Sequence, residues 1–280
     1  MKISFTKMSA SGNDFVVIEN RGLTCRDRPL CLSVKRIISF SKQICDRKYG
    51  IGADGVLFLE KSKKADVRMR IFNADGSEAE MCGNGARCAA LWINSRLTTH
   101  DSQLLKIETK AGIIESVVEA DNVKIKLTGL KGIKTGIPLK INNRNIKVDF
   151  INTGVPHIVI FVEGLEKIDV FNLGRAIRYH NKFKPAGTNV DFVEIINEDS
   201  IKVRSYERGV EDETLACGTG SAASALLYAK RYPLSAIHKV NVYTKGGEIL
   251  KVYFDKMDNR FYNVWLEGKA KIVYKGEYYV

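Results

Sequence analysis

The sequence contains few of the residues that build metal centres and disulfide scaffolds. Six cysteines and four histidines are scattered over 280 residues, without a CxxC pair. Cysteines this sparse in so long a chain argue against a disulfide framework, and their spacings match no zinc pattern. We therefore predict no metal site and no cofactor.

Long apolar runs are also missing from the chain. No stretch approaches the roughly 18 apolar residues that a membrane-spanning helix requires, and residues 1–12 contain no apolar run. We expect no membrane association and a cytoplasmic location. A content of 45% hydrophobic and 27% charged residues is typical of a globular protein with one large domain or two ordinary ones.

The net charge of +12 is not concentrated in any basic run. Lysine and arginine are spread along the chain, without the interleaved aromatic residues of a nucleic-acid-binding surface. A dispersed excess of charge is usually a solvated surface, so we expect no nucleic-acid partner. The partner we expect is a small-molecule amino-acid substrate, and the sequence leaves a homodimer open.

Hydrophobic periodicity predicts mostly strands in the first half of the chain. A single amphipathic helix is predicted over residues 32–46, with Gly50 as a stop signal. Its apolar face contains Val34, Ile37, Ile38, Ser41, Ile44 and Cys45. Alternating residues predict strands at 3–7, 15–18, 67–72, 104–109, 113–118 and 123–127.

A long internal repeat divides the sequence into two halves. The segment MCGNGARCAAL (81–91) matches ACGTGSAASAL (216–226), and TKAG (109–112) matches TKGG (244–247), both 135 residues apart. Two motifs that share one offset indicate two halves with one supersecondary plan. Small residues at 86–93 and 221–229 suit a central helix wrapped by a curved sheet. The Gly-rich segment 129–138 is predicted to be the linker.

Cys82 and Cys217 occupy equivalent positions in the two halves. Each precedes Gly-X-Gly at a predicted helix start, where unpaired N–H groups and partial positive charge bind carboxylates and favour a thiolate. Two such half-sites could flank one carbon, one thiolate removing its proton while a thiol protonates the opposite face. A single Cys-Gly pair would more often be a tight turn before a packed helix, but the duplication favours chemistry. Cys45 and Cys88 have apolar neighbours and are predicted to be buried, whereas Cys25 and Cys31 lie in a polar stretch.

Several segments resemble diaminopimelate epimerases from end to end. They are SGNDFVVIE (11–19), GIGADGVL (50–57), RIFNADGSEAEMCGNGARC (70–88), NTGVPH (152–157), NVDFVEI (189–195), RSYERGVEDETLACGTGSAA (204–223) and EGKAKIVYKGE (267–277). Proline racemases and hydroxyproline epimerases share the two-cysteine logic, but their first motif is typically Cys-Gly-His, where this chain has Asn84. Phenazine-type isomerases of the same fold lack the cysteine pair.

The resemblance implies a fold, an activity and a pathway. It implies an α/β (α+β) fold of two pseudo-symmetric domains, each a curved, mostly antiparallel sheet around a central helix, with the active site between them. The implied domains are residues 1–128 with 270–280, and residues 129–269. The implied activity is cofactor-independent epimerisation of LL-2,6-diaminopimelate to the meso form, in lysine and peptidoglycan precursor biosynthesis.

The resemblance also assigns roles to individual residues. Cys82 and Cys217 would be the catalytic pair, with His157 and Glu207 tuning the thiols. Taken alone, His157 would more often be a structural hydrogen bonder, and Asn13 and Asn73 ordinary turn residues. The implied substrate ligands are Asn13, Asn73, Gly83, Asn84, Asn189, Glu207, Arg208, Gly218 and Thr219.

Two positions depart from the family pattern. Many relatives have Asn where this chain has Val155, and some have Gln where it has Gly55. In those relatives the two residues usually contact the substrate, so the hydrogen bonds to its distal end are expected to differ here.

Overall fold

The computed structural model describes residues 2–20, 34–97, 104–141, 144–232, 238–257 and 260–279. Cys25 and Cys31 lie outside these residues. The chain divides into two compact units, Met1–Ile125 with Gly268–Val280, and Lys126–Glu267. Among the helices formed by the described residues, none is long and apolar enough to span a membrane.

The described residues of the first unit form nine strands and two helices. The helices are α1 (Val34–Cys45) and α2 (Gly83–Asn94). The strands are β1 (Lys2–Ala10), β2 (Asn13–Asn20), β3 (Gly55–Glu60), β4 (Val67–Asn73), β5 (Glu78–Ala79), β6 (Leu105–Thr109), β7 (Gly112–Glu119), β8 (Asn122–Lys126) and, from the chain end, β18 (Lys271–Tyr279). All pair antiparallel except β2 with β3 and β4 with β6, which are parallel.

In the second unit, the part of the chain that the structure describes also forms nine strands and two α-helices, together with two short 3₁₀ helices (Leu165–Lys167 and Asn181–Phe183). The α-helices are α3 (Val170–Arg178) and α4 (Gly218–Arg231). The strands are β9 (Leu130–Ile141), β10 (Arg144–Thr153), β11 (Pro156–Phe161), β12 (Asn189–Asn197), β13 (Ser200–Glu207), β14 (Asp212–Thr214), β15 (Lys239–Thr244), β16 (Ile249–Met257) and β17 (Arg260–Lys269). Here β11 with β12 and β13 with β15 are the parallel pairs.

The two units share one strand plan. Each unit has eight pairings between its described strands, in the same order and with the same parallel or antiparallel sense. In the first unit they are β18–β1, β1–β2, β2–β3, β3–β4, β4–β5, β4–β6, β6–β7 and β7–β8. In the second unit the corresponding pairings run from β9–β10 to β16–β17. The predicted mixed α/β fold with a repeated, mostly antiparallel architecture is therefore confirmed.

Helices α2 and α4 are the central elements of their units. Residues 84–90 of α2 and residues 220–229 of α4 are buried without interruption. Helix α2 packs against seven strands of its unit and α4 against six. Alanine, serine and glycine permit this because a helix enclosed on every side needs small side chains where backbones approach closely.

The local predictions for the first unit are confirmed. Each of the six predicted strands lies within or overlaps an observed one, from β1 to β8. Helix α1 falls inside the predicted range 32–46, and Ile37, Ile44 and Cys45 are buried with Phe40 against strand residues. Cys88 is buried as well, as predicted. The side chain of Val34 lies outside the described part of the helix.

The predicted linker at residues 129–138 is wrong. Most of it belongs to β9, which pairs antiparallel with β10. The register shifts twice along this pair, and Gly132 and Gly136 have φ values of +68° and +69° near the shifts. Glycine accepts this left-handed conformation without strain, so the glycines permit β-bulges rather than marking a coil.

Candidate active site

Cys82 caps the N-terminus of α2. Its backbone is extended (φ −143°, ψ 121°), and its Sγ accepts a hydrogen bond from Gly85 N at 3.4 Å. Gly83 is the first helical residue, so the sulfur lies at the first turn, where N–H groups have no partners within the helix. A Cβ on Gly85 would lie 3.2 Å from Leu57 Cδ2, which shows how closely the helix start approaches β3.

Two of the predicted substrate ligands meet beside Cys82. Asn84 donates from Nδ2 to Asn13 Oδ1 at 2.7 Å, although the residues are 71 positions apart. Asn84 in turn accepts from the fully buried Arg87 at 2.6 Å. Asn13 also donates to Asp54 at 3.1 Å. The two amides are therefore held in fixed orientations by charged neighbours.

A network of charged residues is connected to this asparagine pair through Asp54, which accepts a hydrogen bond from Asn13 and pairs with Arg47. Asp14 accepts hydrogen bonds from Arg47 at 2.8 and 3.2 Å, and from the backbone N–H of Asp54. It also forms an ion pair with the buried Lys7 at 2.7 Å. Burial alone would raise the pKa of Asp14, but hydrogen bonds and charge from Arg47 and Lys7 outweigh it and lower the pKa to about 2.

Asn73 is located at the turn between β4 and β5. Its Nδ2 donates to Ser77 Oγ at 2.9 Å, and its N–H donates to the Ser77 carbonyl at 2.9 Å. The side chain is exposed, and its backbone pairs with Gly55. A Cβ on Gly55 would lie 2.8 Å from the Phe72 carbonyl oxygen, so glycine fits the local backbone.

Cys217 caps α4 in the same way as Cys82 caps α2. Its backbone is extended (φ −111°, ψ 110°), and its Sγ accepts from Gly220 N at 3.4 Å. Gly218 is the first helical residue here too. The Sγ also lies 3.6 Å from Thr219 Oγ1. Cys217 is only 7% exposed.

A buried hydrogen-bond chain extends from Cys217 into the sheet. Thr219 Oγ1 lies 3.0 Å from His157 Nε2, and His157 Nδ1 lies 2.7 Å from Asp191 Oδ2. If Nδ1 carries the proton, it donates to Asp191 and Nε2 accepts from the threonine hydroxyl. The same threonine oxygen lies 3.6 Å from Cys217 Sγ, so the hydroxyl connects the imidazole to the thiol.

Glu207 is the second acidic group around Cys217. Its Oε1 accepts from Thr214 Oγ1 at 2.6 Å, and it shares a hydrogen bond with the Cys217 thiol. Burial is the largest influence on the pKa of Glu207 and raises it. The hydrogen bond from Thr214 lowers this pKa, whereas the charge of Asp191 raises it further. The structure thus brings His157 and Glu207 together around the thiol that they were predicted to tune.

The predicted lowering of the thiol pKa at the helix start is wrong for Cys217. Burial, followed by the negative charges of Glu207 and Asp191, raises the pKa of Cys217 well above its ordinary value. The contact with Thr219 and the hydrogen bond from Gly220 N–H lower the pKa, but their effects are smaller. Cys217 is therefore a protonated thiol at neutral pH.

Asn189 connects His157 to the loop that contains Arg208. Asn189 Nδ2 lies 3.4 Å from His157 Nε2 and donates to the Pro156 carbonyl at 3.2 Å. Its Oδ1 accepts from the N–H of Arg208 at 2.8 Å. Within the described chain, the guanidinium of Arg208 donates to the Ala186 carbonyl at 3.1 Å. Most of its five N–H donors remain available to a ligand.

Three side chains of this cluster resemble a metal-ligand set. Candidate ligand atoms of His157, Asp191 and Cys217 all lie within 4.8 Å of one another. Both imidazole nitrogens are engaged in the hydrogen bonds described above, and a metal would have to displace one of them. We therefore interpret the cluster as a hydrogen-bond network, and metal independence stays a prediction.

Asp191 and the bridging role of the Thr219 hydroxyl were missed by sequence reasoning. Asp191 is fully buried, accepts from Ser205 at 2.6 Å, and orients His157. A Cβ on Gly220 would lie 2.2 Å from its Oδ1, so this glycine makes room for the carboxylate. The available signal was the carboxylate within the apolar strand segment Asn-Val-Asp-Phe-Val, since a charge is buried there only with partners.

Comparison with known proteins identifies the family. The model of the family described as diaminopimelate epimerase matches residues 5–131 and 150–273. The chain belongs to the diaminopimelate epimerase family. It is 43% identical to the diaminopimelate epimerase of Hydrogenobaculum sp. (strain Y04AAS1), covering 97% of this chain and 96% of that protein. It is 41% identical to that of Aquifex aeolicus (strain VF5), covering 98% and 97%.

Solved structures show how widely the diaminopimelate epimerase fold is shared. A PhzF-family phenazine biosynthesis protein of Bacillus anthracis superposes with a TM-score of 0.73 over 100% of both chains, at 18% identity. A hydroxyproline epimerase from Agrobacterium vitis gives a TM-score of 0.71 over 99% of this chain and 92% of its own, at 14% identity. At these identities the likeness concerns the fold alone.

Proposed function

We propose that this protein interconverts LL- and meso-2,6-diaminopimelate, with Cys82 and Cys217 alternating as base and acid. The observation that carries the proposal is the duplicated cysteine N-cap, present at the same position of the same strand plan in both units. Membership of the diaminopimelate epimerase family supports the choice of substrate. We also propose that the predicted domains, 1–128 with 270–280 and 129–269, are the two functional halves.

Inversion of the α-carbon requires two groups on opposite faces of the substrate. In one direction a thiolate removes the α-proton, and the other thiol delivers its proton to the opposite face; the two sulfurs then exchange roles. Cys217 is suited to begin as the acid, since its pKa is raised by burial and by Glu207 and Asp191. The N–H groups at each helix start stabilise the charge that develops on the reacting carboxylate.

The proposed ligands divide into a reacting end and a distal end. Gly83 with Asn84, and Gly218 with Thr219, offer helix-start donors to the reacting carboxylate. The remaining polar ligands are Asn13, Asn73, Asn189, Glu207 and Arg208. Arg208 suits the distal carboxylate because a guanidinium binds it through two parallel hydrogen bonds, which lysine does not reproduce.

The alternative within the same fold is epimerisation of a cyclic monocarboxylate such as hydroxyproline. The Agrobacterium vitis structure has this fold, and its name describes a hydroxyproline epimerase. A monocarboxylate has no distal carboxylate for Arg208 to bind. The proposal therefore predicts that Arg208→Lys raises KM for diaminopimelate strongly. Turnover of hydroxyproline, with diaminopimelate untouched, would favour the alternative.

The proposal includes independence from cofactors and a cytoplasmic, nucleic-acid-free setting. Activity should survive exhaustive treatment with a chelator, and metal-dependent recovery after loss would contradict it. A salt-dependent gel shift would reveal nucleic-acid binding. Sedimentation would decide whether the protein is a homodimer.

The direct test is incubation with LL-diaminopimelate in D₂O. We expect the meso isomer to form and one deuterium to enter the α-carbon of the product, since the incoming proton derives from a thiol that exchanges with solvent. Absence of epimerisation by the unaltered, folded protein would overturn the proposed function.

A further inference from the structure

In the first unit, an ion triad lies beside the segment that leads into Cys82. We call Arg70, Glu78 and Lys110 the first triad. Arg70 Nε donates to Glu78 Oε1 at 2.8 Å, and Lys110 Nζ donates to Glu78 Oε2 at 3.2 Å. Glu78 begins β5, four residues before Cys82. The arginine and glutamate side chains are each less than one-fifth exposed.

In the second unit, Arg204, Glu213 and Lys245 form an equivalent second triad. Arg204 holds Glu213 through two hydrogen bonds, at 2.7 and 2.9 Å, and Lys245 Nζ lies 2.8 Å from Glu213 Oε2. Glu213 precedes Cys217 by four residues. The arginine and glutamate are again mostly buried, at 15% and 10% exposure.

The two triads occupy the same positions of the shared strand plan. Glu78 pairs with Phe72 across β4 and β5, and Glu213 pairs with Tyr206 across β13 and β14. The glutamates and the lysines are each 135 residues apart, which is the offset of the two cysteines. The arginines are 134 residues apart, and each lies two residues before the strand partner of its glutamate, so both halves contain the same arrangement of charges.

A backbone hydrogen bond attaches the same segment a second time. Ala111 N–H donates to the Glu80 carbonyl at 3.3 Å, and Gly246 N–H donates to the Leu215 carbonyl at 2.8 Å. Each acceptor lies two residues before a cysteine, and each donor follows the lysine of the triad. The lysine-containing turn and the arginine-containing strand therefore hold the segment from two sides.

The energetics favour a role in geometry over a role in stability. A mostly buried ion pair gains little net stability, because desolvation offsets its attraction, but it specifies one arrangement of the chain. The sulfur of a catalytic cysteine must lie within a fraction of an ångström of its productive position, and a misplacement of about 1 Å can cost hundredfold in rate. Two glutamates so held are suited to fix two sulfurs.

We infer that Glu78 and Glu213 are positioning residues, which fix the segments 79–82 and 214–217 and thereby locate the sulfurs of Cys82 and Cys217. The inference rests on the proposed two-thiol function. In the second unit the effect extends to Glu207, because Thr214, the neighbour of Glu213, donates to it at 2.6 Å.

The test compares Glu78→Gln and Glu213→Gln with two controls that remove exposed contacts away from both triads. Glu277→Gln breaks a surface pair with Lys2, and Asp255→Asn alters an exposed contact with Asn263. We expect each triad variant to lower kcat by roughly tenfold to hundredfold with a small change in KM. The controls should keep the kcat of the unaltered protein.

A second measurement follows each thiol separately. The rates at which iodoacetamide modifies Cys82 and Cys217 are measured by peptide mass spectrometry and do not depend on turnover. Glu78→Gln should change the rate of Cys82 severalfold and leave Cys217 unchanged, and Glu213→Gln should do the reverse. Equal effects on both thiols, or none, would overturn the inference even if the unaltered protein is an active epimerase.

Variants of the triad lysines, Lys110 and Lys245, distinguish a positioning role from a purely electrostatic one. They also carry a smaller risk of misfolding than variants of the mostly buried glutamates. Removing Glu78 and removing Lys110 change the local charge in opposite directions, so electrostatics would move the thiol pKa in opposite directions. Positioning predicts a lower kcat for both Glu78→Gln and Lys110→Met. Lys110→Arg and Lys245→Arg should retain activity, since arginine can also donate to the glutamate. Full activity of Lys110→Met and Lys245→Met would contradict the inference.

Discussion

His157 Nδ1 lies 2.7 Å from Asp191 Oδ2, and both side chains are fully buried. This contact fixes the orientation of the imidazole, whose other nitrogen faces the Thr219 hydroxyl next to Cys217. A buried carboxylate paired with an imidazole sets which nitrogen carries the proton. The acid–base behaviour of Cys217 therefore depends on Asp191, although Asp191 contacts the imidazole of His157 and not the sulfur.

Asp191→Asn should impair catalysis more than substrate binding. The amide can keep the size of the side chain, but its charge is lost and the imidazole loses its fixed tautomer. We expect kcat to fall by about tenfold or more, with KM little changed, because a general acid–base relay contributes about 10²–10⁴-fold. Asp255→Asn, which alters an exposed contact with Asn263, is the control. Unchanged kcat in the Asp191 variant would exclude it from the relay.

Glu207→Gln should make Cys217 more reactive and the enzyme less active. The negative charge of Glu207 raises the pKa of Cys217, second in effect to burial, so removing the charge lowers that pKa. More thiolate at neutral pH means faster modification of Cys217 by iodoacetamide. Epimerisation should nevertheless decline, because the carboxylate that shares the Cys217 proton is gone. Slower modification of Cys217 would show that the sign of this coupling is wrong.

Acid should weaken the first unit through Asp14. Its pKa is about 2 in the folded protein against 3.8 for the ordinary side chain, so the unfolded state binds the proton more readily. The stabilisation is complete above about pH 4 and is lost as the pH falls towards 2. Asp14→Asn should lower the free energy of unfolding at pH 7 by about 1–2 kcal/mol and flatten its acid limb. Glu277→Gln, at an exposed ion pair, should leave the acid limb unchanged.

Gly220 and Gly85 provide a matched comparison of the two helix starts. A Cβ at Gly220 would lie 2.2 Å from Asp191 Oδ1, whereas a Cβ at Gly85 would lie 3.2 Å from the methyl group Leu57 Cδ2. A buried, hydrogen-bonded carboxylate yields less easily than an apolar side-chain end. Gly220→Ala should therefore lower the free energy of unfolding by more than about 2 kcal/mol, and Gly85→Ala by less. Chemical unfolding measures both, and equal losses would contradict this account of Gly220.

Sequence reasoning succeeded where a local pattern is repeated. The Cys-Gly-X-Gly motifs located both helix starts, and the small residues that follow predicted two enclosed helices, because small side chains allow neighbouring strands to approach a helix closely. The family resemblance assigned Asn13 and Asn84 as substrate ligands, but their hydrogen bond was not predicted, since contacts across 71 residues leave no local signal.

Other features depended on tertiary structure and were missed or misread. Segment 129–138 resembled a linker because its glycines are also what β-bulges require. The pKa of Cys217 was misjudged because a helix start favours the thiolate, whereas burial and two carboxylates, brought close by the fold, oppose it more strongly. Asp191 was not singled out, because its buried contact with His157 joins residues that are 34 positions apart.

The measurement that tests the two-thiol account most directly uses a diaminopimelate analogue with a leaving group on its β-carbon. Elimination from this analogue needs only one base, which removes the α-proton as the leaving group departs with its electron pair. Cys82→Ala and Cys217→Ala should each abolish epimerisation. Elimination should survive in Cys82→Ala for one configuration at the α-carbon and in Cys217→Ala for the other. If both variants eliminate from the same isomer, the two sulfurs do not act on opposite faces, and the account is wrong.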